Sequence, residues 1–67
     1  MIIKYPNIKV KLTGQDGNAF NLIGLVRKAL AKNKIDSQEI TNFTNDCKLS
    51  ESYDDLLIKL MTYVEVI

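Results

Sequence analysis

The side chains that do most protein chemistry are sparse in this 67-residue chain: it has no histidine, and Cys47 is its one cysteine. That excludes the usual Cys/His zinc sites and every Ser-His or Cys-His nucleophile pair. Carboxylates and turn residues are what remain. Asp54 and Asp55 are adjacent, and adjacent side chains on a helix diverge by about 100°, which is poor geometry for a shared acid and base. In a first helical turn they instead complement the exposed amides. Asp16, Asn18 and neighbouring carbonyls have some character of a cation loop, but the twelve-residue ligand spacing and closing Glu of an EF-hand are missing. Gly14-Gln15-Asp16-Gly17-Asn18 occupies a strand-to-helix position in which backbone amides can receive phosphate. It matches neither GxGxxG nor GxxxxGK, and Asp16 would repel the anion. Cys47 reads as a small buried hydrophobe, since a redox role needs an exposed low-pKa thiol. No catalytic residue, metal ligand or cofactor is assigned, and the chain is read as a non-enzyme.

What remains is surface. Nine Lys and Arg against eight Asp and Glu give a net charge of +1, too little for long-range steering of a charged partner. The basic residues gather in the first half and acids dominate from Asp36 to Asp55. The favoured contact surface is the outer face of a strand, Lys9 and Lys11, with the turn residues Gln15 and Asp16 and the polar stripe Asn21, Lys28 and Lys32 of the following helix. A protein partner is the first expectation, and a homodimer formed by pairing an open sheet edge is compatible with it. An accessory nucleic-acid-binding role is the alternative, with Arg27 joining the lysines as a basic track. Reading the last two helices as a helix-turn-helix meets an objection, because Asp54 and Asp55 would stand at the end that must meet base edges. A purely structural homo-oligomerising module is the third reading.

These residues need positioning by very little structure. A domain of this size buries about 60% of the surface of its unfolded chain, so one thin core is expected over a single domain, 1–67, with Phe20, Phe43, Cys47 and Tyr53 all committed to it. Ile8, Val10 and Leu12 alternate with Lys9 and Lys11, the period of a half-buried strand over 8–12. Met1 to Tyr5 reads as a short strand stopped by Pro6. Asn18 is the natural N-cap of a helix over 19–33, with Ile23, Val26 and Leu30 at the centre of its apolar face and Leu22 and Ala29 beside them. Gly24 and Ala31 lie on a flank open to close approach. A weaker helix comes next, capped by Asp36 or Ser37, with Glu39 completing a capping pair, and its Ile40, Phe43 and Cys47 face the core. The third is capped by Ser50 or Ser52 and buries Tyr53, Leu56, Leu57, Leu60, Met61 and Val64. The end is open: Thr62 to Ile67 is β-prone and alternates, so these residues either continue the helix or leave it to pair beside Ile8–Leu12, with Lys9 or Lys11 opposite Glu65, or in a hairpin with residues 2–5. The expected fold is therefore α+β: three helices against a minimal two-stranded antiparallel sheet, strand 8–12 paired with 63–67 or with 2–5.

The run from Pro6 to Phe20, with Gly24, Val26 and Ala29-Leu30 after it and Tyr53-Asp54 and Leu56-Leu57 later, resembles a family of short uncharacterised bacterial and phage proteins of about 65–70 residues. The likeness covers most of the chain, although Thr41 to Lys48 is less acidic than the family's second helix. It implies a stand-alone small domain of bacterial, phage or mobile-element origin, with no established activity and no functional residue to carry over; a host or self partner is then the expectation for a chain of that origin. A lone cysteine fits a reducing cytoplasm. No apolar leader comes after Met1 and no stretch is long enough to span a bilayer, so no membrane contact is expected.

Overall fold

The computed structural model describes residues 2–67; Met1, part of the expected strand 1–5, lies outside the described residues. Strand β1 (Tyr5–Val10) is succeeded by helices α1 (Ala19–Lys32), α2 (Ser37–Lys48) and α3 (Tyr53–Tyr63) and by strand β2 (Val64–Val66). Three helices pack with a two-stranded sheet as expected, and of the two pairings left open the C-terminal segment is the one beside the first strand. The direction of pairing is not the expected one: β1 and β2 run parallel, not antiparallel. Their physical connection explains why. The Lys4 amide donates to the Thr62 carbonyl at 2.8 Å, so α3 delivers the chain to the beginning of β1, and from there β2 can only run alongside it in the same sense. A parallel pair needs a long crossover, and three helices supply one. Residues 2–5 form no second strand; Tyr5 belongs to β1 itself, which spans Tyr5–Val10 rather than 8–12, and β2 spans Val64–Val66 rather than 63–67 because α3 continues through Tyr63.

Pro6 does not end a strand either. It lies inside β1, in a register irregularity: Tyr5 pairs with Val64 and Lys9 with Glu65, leaving Pro6, Asn7 and Ile8 without partners. Proline has no amide to give a ladder, and the slip falls where that donor is missing. Beyond it the pairing is regular. Ile67 donates to the Val10 carbonyl at 2.9 Å and accepts from the Leu12 amide at 3.0 Å, so the alternate residues Lys9 and Lys11 turn their backbone groups to the outer edge.

Three caps set the helix boundaries. Asn18 Oδ1 accepts from the Phe20 amide at 2.9 Å and Ser52 Oγ from the Asp55 amide at 3.0 Å, so of the two candidate serines Ser52 is the cap. α1 closes in a Schellman motif: Lys34 donates to Ala31 and Ile35 to Leu30, both at 3.0 Å, with Lys34 at φ 61° where glycine is the usual occupant. α2 departs from expectation, for Asp36 makes no side-chain cap bond. Glu39, expected to complete that cap, reaches across to Lys4 Nζ at 2.7 Å instead.

The core is one cluster. Ile8 and Val10 from β1, Leu22, Val26 and Leu30 from α1, Phe43 and Cys47 from α2, Leu56 and Leu60 from α3, and Val64 from β2 are buried. Phe43 is fully enclosed, with the Tyr63 ring edge-on at 4.8 Å. The buried stripe of α1 is thus Leu22, Val26 and Leu30, centred on Val26, with Ile23 partly buried beside it. Among the described residues no helix is long and apolar enough to cross a membrane.

Candidate functional site

The residues expected to form a contact surface fall into separate places. Asp16 and Asn21 are engaged with each other: the Asn21 side-chain amide donates to the Asp16 carbonyl at 2.8 Å, and the Asp16 carboxylate accepts from the Asn18 amide at 3.1 Å. These bonds tie the turn to the start of α1, with Gly14 at φ 80° supplying the left-handed residue the turn requires. Gln15 is exposed beside it. Lys9 and Lys11 are exposed on β1 and just beyond it, Lys9 in register with Glu65. Lys28 and Lys32 stand on α1 away from the Leu22–Val26–Leu30 stripe. The core lies between the lysines of the strand and those of the helix, so they form no continuous basic track. Lys28 borders a shallow hollow between α1 and α2 with Gly24 and Arg27. Among the described residues nothing beyond the adjacent backbone of α1 comes within 4 Å of a Cβ built on Gly24, so that flank, though open to close approach, is not closely approached.

A different surface carries the unexplained features. Phe20, expected in the core, is 82% exposed; Tyr53 and Met61, also expected to be buried, are 46% and 40% exposed. Helix geometry explains Phe20, which lies about 120° around α1 from the centre of its buried stripe. Tyr53 continues the Leu56 and Leu60 stripe but is the first residue of α3, past the edge of the core. Its hydroxyl donates to the Gly17 carbonyl. A Cβ on Gly17 would meet that hydroxyl at 3.3 Å, a tight contact that a small shift of the tyrosine tip relieves.

Tyr53 stands between two open, mainly apolar hollows. One, of about 380 Å³, is lined by Phe20, Ile23, Cys47, Tyr53 and Leu56 with Lys48 and Glu51 at its border. The other, of about 320 Å³, is lined by Leu12, Leu22, Tyr53, Leu57, Met61 and Val66. Together they make one apolar face running from the start of α1 across α3 to the end of β2. Cys47 forms part of its floor but offers no nucleophile: burial, reinforced by Asp46, pushes its thiol up to about 11, so it stays protonated and unreactive.

The first hollow is lined by one acid and one base, Glu51 and Lys48, and no charged side chain lines the second. Nearby, Asp46 and Asp55 share Lys59 at 3.6 and 3.7 Å.

Such a face can bind apolar groups by area and orient them by charge; it has no convergent polar set for bond-making. Among the described residues no three His, Cys, Asp or Glu side chains gather as metal ligands. The position of Phe20 on the helical wheel is the one sequence signal for this face, while nothing local marks Tyr53. No protein-family model matches the chain, and no curated relative or solved structure matches it.

Proposed function

We propose that this is a small, non-catalytic binding protein of the cytoplasm that docks an apolar segment of a partner protein on the face formed by Phe20, Ile23, Tyr53, Leu57 and Met61. The observation that carries the reading is the exposure of Phe20 and Tyr53 on either side of an apolar hollow in a chain whose other phenylalanine is completely enclosed. A 67-residue domain has little hydrophobic stabilisation to spare, and contiguous apolar exposure on a small protein marks an interaction site. Large aromatics at the centre of a face are also the usual energetic anchors of protein interfaces.

The polar surface of Lys9, Lys11, Lys28 and Lys32 has less support as the primary contact, because its cations are divided by the core. The same division weakens the nucleic-acid alternative. Self-association through the β1 edge is disfavoured by Pro6 and by lysines at positions 9 and 11, devices that blunt an edge strand.

The test is to select peptides from a random library on the immobilised, folded protein and map the winners by amide chemical shifts. The expected result is perturbation centred on Phe20, Ile23, Tyr53 and Met61 and loss of binding in Phe20→Ser. Perturbation confined to residues 9–11 and 28–32, with Phe20→Ser binding normally, would overturn the assignment.

A further inference from the structure

The hollow between α1 and α2 shares no lining residue with the apolar face and differs from it in chemistry. Its volume is about 450 Å³. Gly24, Arg27, Lys28 and Ala31 fall within about 100° of one another around α1, and Ser37, Ile40 and Thr41 within about 100° around α2. Each helix thus turns one stripe toward the same space. Gly24 and Ala31 keep that space open, since among the described residues a Cβ built on Gly24 meets nothing within 4 Å beyond the adjacent backbone of α1.

Every polar side chain lining this hollow can donate to an anion. Arg27 and Lys28 are cations, Ser37 and Thr41 carry hydroxyls, and no carboxylate lines it. Arg27 and Lys28 make no ion pair among the described residues, and α1 contains no Asp or Glu to neutralise them. Of the acids near in sequence, Glu39 is paired with Lys4, and Asp36, which precedes Ser37, does not line the hollow. A guanidinium, an ammonium and two hydroxyls offer more donors than the two oxygens of a carboxylate can use. Phosphate brings three or more acceptor oxygens and a larger charge, and Arg and Lys are the side chains that recognise it. The cations stop at these two: Lys32 does not line the hollow, and Lys9 and Lys11 lie across the core. That suits a single phosphate-bearing group and not a polymer backbone, which needs a continued track of contacts.

We propose that the α1–α2 hollow binds the phosphate group of a small molecule, with Arg27 and Lys28 pairing with its oxygens and Ser37 and Thr41 donating to them. Docking of a partner on the apolar face neither requires this site nor competes with it.

Amide chemical shifts of the folded protein, titrated at low salt with inorganic phosphate, pyrophosphate, succinate and an oligodeoxythymidine, test this. Phosphate and pyrophosphate are expected to give saturating shifts over residues 24–31 and 37–41, with succinate weaker than pyrophosphate. Arg27→Gln with Lys28→Gln should weaken pyrophosphate by about tenfold. Lys9→Gln with Lys11→Gln, the same change of net charge on the strand, should leave it within about twofold. Gly24→Leu keeps both cations, favours the helix and should weaken binding severalfold by filling the space. Shifts that grow without saturating, or equal losses from the two charge pairs, would reduce the effect to general attraction and overturn the site. Succinate matching pyrophosphate, or Gly24→Leu binding normally, would overturn it too. Oligonucleotide binding that draws on Lys9 and Lys11 together with Arg27 and Lys28 would assign the cations to nucleic acid and sink the small-molecule site.

Discussion

The hydroxyl of Tyr53 donates to the carbonyl of Gly17, joining the first turn of α3 to the turn before α1 across 36 residues of sequence. It fixes the position of a ring that lines both hollows. Tyr53→Phe keeps the ring and removes the tether. Because the bond is solvent-exposed, the expected loss of global stability is below about 1 kcal/mol. The larger effect should be local, with faster hydrogen exchange at the amides of residues 15–18 and unchanged exchange at Leu30 and Leu60.

The two phenylalanines should behave oppositely. Phe43→Ala opens a cavity in a fully enclosed site and should cost about 3–5 kcal/mol, enough to leave a domain of this size largely unfolded. Phe20→Ser removes a side chain that is mostly in water and should shift stability by no more than about 0.5 kcal/mol. Urea midpoints of the two variants check both claims, and a Phe20→Ser loss near that of Phe43→Ala would show the exposed position to be structural.

Ser50 and Ser52 look equivalent in sequence and are not. Ser52 caps α3, and Ser52→Ala should cost about 1 kcal/mol. Ser50 Oγ is buried with no hydrogen-bond partner among the described residues. Ser50→Ala removes an unsatisfied polar atom, so it should be neutral or stabilising by up to about 1 kcal/mol. Thermal denaturation of the pair reads the contrast directly.

At Lys34 the backbone adopts a left-handed conformation that costs a residue with a Cβ about 1–2 kcal/mol. Lys34→Gly relieves it while adding freedom to the unfolded chain, for a net gain of about 0.5–1 kcal/mol. A destabilised Lys34→Gly would mean that the lysine side chain contributes there through contacts of its own.

The ion pair of Lys4 and Glu39 predicts a pH dependence. Its hydrogen bond holds the Glu39 carboxyl below its ordinary value and, reciprocally, the Lys4 ammonium above its own. A carboxyl depressed in the folded state stabilises above its unfolded pKa and loses that contribution as pH falls through the folded one; a raised ammonium stabilises below its unfolded pKa and loses it as pH rises. The pair therefore works between the ordinary values of 4.5 and 10.5 and fades on either side. Glu39→Gln should be slightly less stable than the parent near pH 7 and indistinguishable from it near pH 2. Urea midpoints across that interval measure it, and a gap that survives at acid pH would place its origin outside the ion pair.

Local signals are legible in this sequence and non-local ones are not. Alternation at Ile8–Leu12, the Asn18 cap and the three apolar periods place the strand and every helix, because each depends on neighbours a few residues away. Strand direction depends on where α3 ends relative to β1, which no local pattern encodes. Glu39 has the spacing of a cap completing its own helix, but a lysine 35 residues earlier outcompetes that role. Phe20 is exposed for a simpler reason: its angle on the helix, not its apolar character, decides which way it faces. Tyr53 has the right angle and lies one turn beyond the end of the packed interior, a boundary set by the other elements.

The parallel ladder also dictates an order of events in folding. Joining Val10 to Val66 closes a loop containing all three helices, and that entropy is spent before any ladder bond forms. Helical turns, whose contacts are near in sequence, gain structure earlier. Among the described residues β2 is the one strand paired with β1, so fraying at Val64–Ile67 strips Val10 and Leu12 of their ladder hydrogen bonds and leaves the first strand held by Ile8 and Val10 in the core alone.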